Sequence, residues 1–241
     1  MHEKFVHSEK IHKTKHGLFI GDFVYGANDG IVTTFAVISG AIGASLTREP
    51  IIILGLASLI ADGISMGLSN YLAINSRLDY QKQERLREVF EVERFPDKER
   101  QEVREILQNW GVPENKLEEF VNILTKDKDQ WVNLMMREEL GIFEDKIESP
   151  TKHGITTSLS FFLSGSLPLL PYLLGLRTWS PFLISVTATA VSLFVVGALR
   201  TFITGTNWIK SGLQMLTIGG LAAFAAYFVG GIVKNLFGLS I

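Results

Sequence analysis

One stretch, Gly21–Leu46, restricts the fold more than any other part of the chain. It reads GDFVYGANDGIVTTFAVISGAIGASL and contains Asp22, Asn28 and Asp29. The stretch is long and apolar enough to cross a bilayer. A carboxylate near the bilayer centre costs on the order of 3 kcal/mol on insertion scales, so it persists only where it faces protein, water or an ion. Asp22 and Asp29 are seven residues apart, which puts them on one face of a helix. Gly26 and Thr33 lie near that face and leave room for an ion. The rest of the chain is expected to supply what such an acidic stripe needs: a partner helix, a polar receiver of ions and a bundle around both.

Charge is segregated along the 241 residues, so the net charge of −2 is uninformative. Positions 77–150 hold 19 Asp/Glu against 13 Lys/Arg, while the other 167 residues hold 6 acids and 10 bases. The fold class read from this is all-α: a polytopic membrane protein with a helical, soluble insert. The absence of Cys excludes disulfides, thiolate zinc sites and Cys nucleophiles. Residues 1–17 are too polar for a signal-peptide core and read as a tail. Five spans follow, at about 18–46, 50–76, 153–175, 180–203 and 211–236. The domains are therefore the tail 1–17, spans one and two over 18–76, the insert 77–150, and spans three to five over 151–241. Arg48-Glu49-Pro50 and the 177–181 segment read as turns, and Pro168 and Pro171 should kink or end span three. Lys and Arg concentrate before span one, after span two, before span three and between spans four and five. By the positive-inside rule the N-terminus and insert are cytosolic and the C-terminus lies across the membrane.

Within the insert, residues 77–94 continue span two as one helix, and further helices are expected at 96–110, 114–125 and 127–140. Pro96 and Pro113 stand where helices start.

Two constellations carry chemistry. In span two, Ser58, Asp62, Met66 and Asn70 recur every four residues as a polar stripe. The Met66 thioether is a soft donor suited to borderline transition metals; the bland alternative is that Met66 only packs and that Ser58 and Asn70 only bond neighbouring helices. In the insert, Glu84, Glu88 and Glu91 share a helical face, Glu99, Glu102 and Glu105 repeat on the next helix, and Met135 and Glu139 are one turn apart. Carboxylates on facing helices are how helical bundles hold metal. The competing reading is a solvated face in which Arg85, Arg87 and Arg104 pair with the glutamates. Metal held by ordinary carboxylates should weaken as pH falls through about 4–5. His2, His7, His12 and His16 read as a solvated tail. There is no G-x-x-x-x-G-K-[ST] phosphate loop, no nucleophile–His–acid set and no nucleic-acid motif. The chain is not expected to be an enzyme.

GDFVYGANDGIVTTFAVISG resembles the first helix of the vacuolar iron transporter family. ADGISMGLSNYLAINS resembles its second helix, and MMREELGI followed by SPTKHGITTSLSFFLSGSLPLLPYLL resembles its end-of-insert and third-helix signature. The resemblance implies a homodimeric five-helix protein of the lipid bilayer that moves Fe²⁺, with Mn²⁺, Zn²⁺ and Co²⁺ as other candidates, out of the cytosol in exchange for protons. It implies a vacuolar membrane in a eukaryote and a plasma membrane in a prokaryote. Metal is then both substrate and insert-bound ion, with no prosthetic group and no nucleic-acid partner. Asp22, Asp29 and Met66 match the family's transport path. Glu88, Glu91, Glu99, Glu102, Met135 and Glu139 match its cytosolic metal positions. Where plant and fungal members carry an acid in the second helix this chain has Ser58, and Ser69-Asn70-Tyr71 replaces a Gly-Glu-Tyr; Asp62, one turn from Ser58 and two from Asn70, is expected to substitute. Gly26, Gly30, Gly40 and Ala44 would let first helices meet across a two-fold axis. The alternative function is a membrane-anchored metal buffer or sensor without transport.

Overall fold

The computed structural model describes residues 14–143, 149–175 and 180–237, excluding the side chains of 14–18, 202 and 203. The expectations for the N-terminal histidines and for the 177–181 turn rest largely on positions outside that set. Two compact units form: Met1–Tyr71 with Thr151–Ile241, and Leu72–Pro150. The described residues contain helices and no strands.

The first unit holds α1 (Thr14–Gly43), the N-terminal part of α2 (Arg48–Arg94), α6 (Pro150–Leu173), α7 (Pro181–Leu199), the short α8 (Thr201–Thr204) and α9 (Trp208–Phe237). Of these, α2, α7 and α9 are long and apolar enough to cross a membrane. The 30-residue α1 and 24-residue α6 exceed the needed length. Their polar side chains turn inward: His153, Thr157 and Ser160 on α6 are all buried. By contrast α9 exposes Leu213, Leu221, Phe224, Phe228 and Leu236, as a helix facing lipid would. Ala27 and Ile31 pack with Leu193, Val196 and Met215. Ile38, Ala41, Ile51, Leu169 and Tyr172 form a second core.

Close approach within the chain takes up the glycines that the sequence assigned to a two-fold contact. A Cβ on Gly30 would sit 2.5 Å from the Phe161 carbonyl oxygen, and one on Gly26 would meet Thr157. Gly40 faces Ala226. Gly26 and Gly30 thus seat α1 on α6, and Gly40 lies against α9. Gly67 and Gly154 abut in the same way; a Cβ on Gly154 would lie 2.6 Å from the Gly67 oxygen. Helix α6 thus packs against both α1 and α2.

Three boundaries differ from expectation. Arg48, Glu49 and Pro50 are the first turn of α2, not a loop; an early proline loses no helical hydrogen bond and an early acid suits the helix dipole. The turn lies before them, where Ser45 adopts φ 60°. Helix α6 runs through Pro168 and Pro171 to Leu173. Arg48 caps it there: Nε donates to the Tyr172 carbonyl at 2.8 Å and Nη2 to the same oxygen at 2.5 Å. A guanidinium on the last carbonyls satisfies groups that no further turn can reach. Arg48→Ala should therefore cost about 1–3 kcal/mol, read as a lower unfolding midpoint in detergent with metal binding unchanged. Finally, span four breaks at Arg200, giving α7 and α8 in place of one helix to 203.

In the second unit, α2 continues unbroken to Arg94, followed by α3 (Pro96–Asn109), α4 (Glu114–Leu124) and α5 (Lys128–Glu138). Each lies within two residues of expectation. Pro96 starts α3, and Asp127 caps α5 by accepting from the Gln130 amide at 2.9 Å. Their apolar stripes meet in a core of Val92, Val103, Leu107, Leu117, Val121, Trp131, Val132, Met135 and Met136.

Candidate metal centres

That core determines which glutamates converge. Val92 and Val103 anchor the facing stripes of α2 and α3, so their neighbours Glu88, Glu91, Glu99 and Glu102 are drawn into two acidic groups. Glu88, Glu91 and Glu99 form one, and Glu99, Glu102 and Glu139 the other; in each, one carboxylate oxygen per residue lies within 4.8 Å of the others. Glu99 belongs to both. It is 0% exposed and Glu88 2%. Among the described residues, both Glu99 oxygens and Glu88 Oε1 are buried without a hydrogen-bond partner, with Lys98 Nζ 3.8 Å from Glu99 Oε1. Buried carboxylate oxygens left unpaired are costly, and a divalent cation removes that cost.

The pairing alternative accounts for other residues. Arg87 holds Glu84 at 3.2 Å, and Arg104 pairs with Glu118. Glu84 is therefore outside both groups. Lys98 reaches Glu102 at 2.7 Å, at the edge of the second group. Met135 is fully enclosed in the apolar core, where it packs one turn before Glu139.

Burial, reinforced by the charges of Glu139, Glu99 and Glu91, pushes Glu88 up to about 8. Burial and then Glu102 push Glu99 up to about 7, with Lys98 opposing. Glu139 is also raised, by burial and the charges of Glu102 and Glu91. These shifts move the expected weakening of metal binding up from pH 4–5, because the protons that compete with metal are held near neutrality. The expected result is an affinity for Co²⁺ that falls as pH drops through about 8 and about 7, with protons released on binding. Calorimetry on the whole protein in two buffers of different ionisation enthalpy measures both. An affinity constant down to pH ~5 would contradict it.

In the first unit, the helix contacts divide the expected transport stripe into two clusters. Asp29, on α1, is within electrostatic range of Asp62 on α2. Asp62 accepts from Ser58 Oγ at 2.6 Å, so Ser58 orients the acid one turn along. Met66 lies one turn further along α2 and is half-buried. Asp22 is tied differently. Asn70 Nδ2 donates to its Oδ1 at 2.7 Å, and His153 Nδ1 bonds its Oδ2. Asn70 also donates to Thr157 Oγ1 at 2.7 Å, while that hydroxyl donates to the His153 carbonyl at 3.0 Å. Asp22 thus joins α1, α2 and α6. Sequence reasoning included Asn70 but missed His153. The available signal was a buried-type polar stripe, His153, Thr157 and Ser160, at helical spacing in an apolar span.

An apolar helical unit with inward carboxylates, and a second unit with two glutamate triads, define a membrane protein equipped to handle cations. Residues 20–231 match the VIT family. The chain is 32% identical over 227 residues to "Vacuolar iron transporter 1" of Arabidopsis thaliana, covering 93% of this chain and 91% of that protein. It is 35% identical over 219 residues to "Vacuolar iron transporter" of Centaurea cyanus, covering 90% and 89%. With the protein of that name from Toxoplasma gondii (strain ATCC 50861 / VEG) it shares 33% over 243 residues, covering 95% and 80%. The chain belongs to the VIT family and is an integral membrane protein.

Proposed function

We propose that this protein is a secondary transporter that carries Fe²⁺, and secondarily Mn²⁺ or other divalent transition metals, out of the cytosol in exchange for protons. The names of its relatives support iron as cargo. The reading is carried by two like-charged acids, Asp29 on α1 and Asp62 on α2, within electrostatic range of each other in an apolar bundle, with Met66 one turn along from Asp62; a transiting cation gives such a set a use. In this mechanism Asp29, Asp62 and Met66 receive the ion, with Asp22 and Asn70 two turns away on the same helices. Protonation of the acids on the far side releases it. The insert, with Glu88, Glu91, Glu99, Glu102 and Glu139 and with Met135 behind them, captures cytosolic metal and raises its local concentration. Glu84 is left to its ion pair. The working form is a homodimer, in a vacuolar membrane if the source is a eukaryote.

The test is uptake into proteoliposomes with Fe²⁺, Mn²⁺, Zn²⁺ and Co²⁺ side by side, with and without an imposed proton gradient. Fe²⁺ flux that the gradient drives is the expected result. Metal binding without flux would make the protein a membrane-anchored buffer or sensor. Reporter fusions at the N-terminus, Asp97 and the C-terminus test the sidedness; an external N-terminus would end the cytosolic-capture scheme.

A further inference from the structure

His153 is 4% exposed and sits in the first turn of α6, stacked on Phe19 with ring centroids 4.5 Å apart. Its Nδ1 bonds Asp22, whose other oxygen is taken by Asn70. A carboxylate acts only as acceptor, so Nδ1 carries the proton and the lone pair of the neutral ring lies on Nε2. Among the described residues, Nε2 is buried without a hydrogen-bond partner. A structural lock between α1 and α6 would need only the Nδ1 bond and gives no use to this second nitrogen. A carboxylate that fixes the tautomer of a histidine, leaving the far nitrogen bare, is the arrangement by which proteins orient and strengthen an imidazole metal ligand.

We infer that His153 is a ligand of the transported ion, presenting Nε2 while Asp22 and Asn70 hold the ring in register. The inference rests on the metal-transport reading and adds to it a nitrogen donor in a path otherwise made of carboxylates, an amide and a thioether. Imidazole favours zinc, iron and cobalt over manganese, which prefers oxygen donors. His153 therefore biases the path towards the former.

The chain has five histidines, so replacing His2, His7, His12 and His16 with Gln leaves His153 as the sole imidazole. That variant, labelled with ¹⁵N-histidine and purified whole in detergent, is read by ¹⁵N NMR before and after Zn²⁺. The expected spectrum shows a protonated Nδ1 and a bare Nε2, with zinc shifting Nε2. An Nε2 resonance that zinc leaves in place overturns the inference, and it does so without altering His153. Uptake supplies the second arm. His153→Gln should lower Zn²⁺ and Co²⁺ uptake at least about tenfold and Mn²⁺ uptake less. Equal loss for all of the ions would mark a positioning role alone and overturn the ligand assignment. Wild-type vesicles that move no metal sink the transport reading, and the nitrogen shift then decides the ligand by itself.

Discussion

Glu99→Gln should disable both metal groups of the insert at once, because this one residue is shared between them. Loss of a ligating carboxylate is expected to weaken binding by ~100-fold, at or beyond the range seen when second-layer partners of metal ligands are removed. Glu102→Gln, confined to one group, should leave the Glu88, Glu91 and Glu99 group intact. Calorimetry on the whole protein in detergent distinguishes them: the first variant loses both classes of site and the second loses one. A Glu99→Gln protein that binds as many ions as its parent would show that the triads are not sites. The same substitution has a signature without metal. The folded Glu99 carboxyl is pushed up to about 7 against an ordinary 4.5. Between those values the folded state holds a proton that the unfolded chain has lost. The Glu99 contribution to stability is therefore greatest below pH ~4.5 and is lost as pH rises through about 7. Gln carries no such proton, so between pH ~4.5 and ~8 the metal-free variant's unfolding midpoint should fall less than the parent's, the remaining decline coming from Glu88 and Glu139.

Asp29→Asn should abolish most metal uptake while folding and membrane insertion persist. Asn preserves shape and one acceptor oxygen and removes the charge that a divalent ion needs. Removing one partner from a buried charged pair costs on the order of 3–5 kcal/mol, which corresponds to a loss of ~100-fold or more in occupancy. Asp62→Asn should be graded, because Ser58 orients that side chain and remains to bond the amide. Met66→Leu keeps packing volume and removes the soft donor, so Fe²⁺ uptake should fall more than Mn²⁺ uptake. The measurement is the initial rate in vesicles matched for protein density. Wild-type rates in Asp29→Asn would remove Asp29 from the ion path.

Asp22→Asn offers a contrast. Asp22 already receives Asn70 and His153, so its carboxylate has a structural duty that Asp29 does not share. Two acids that look equivalent on a helical wheel are thereby separated by their neighbours.

The sequence by itself determined the helices and their order. Hydrophobic runs, Pro96, Asp127 and the uninterrupted pattern from span two into the insert are local signals, and each helix end in Leu72–Pro150 lies within two residues of its expected place. It also determined which residue types are available for metal, because carboxylates at helical spacing can be counted from the chain alone. Only the tertiary structure decided how those residues are used. Glu84 and Glu88 are one turn apart on the same face, yet one pairs with Arg87 and the other is buried among acids, a difference set by what α3 brings against α2. Small residues on α1 mark a close-packing face in the sequence, and the fold brings α6 against Gly26 and Gly30. Arg48 looked like a loop residue because its carbonyl partners, Tyr172 and Leu173, are more than a hundred residues away. His153 was missed for the same reason: its spacing with Thr157 and Ser160 marks only a polar stripe, and its meaning comes from Asp22, which the packing of α1 on α6 places beside it. Periodicity records what a residue does within its own helix, whereas burial, charge pairing and ligation depend on the helix packed against it.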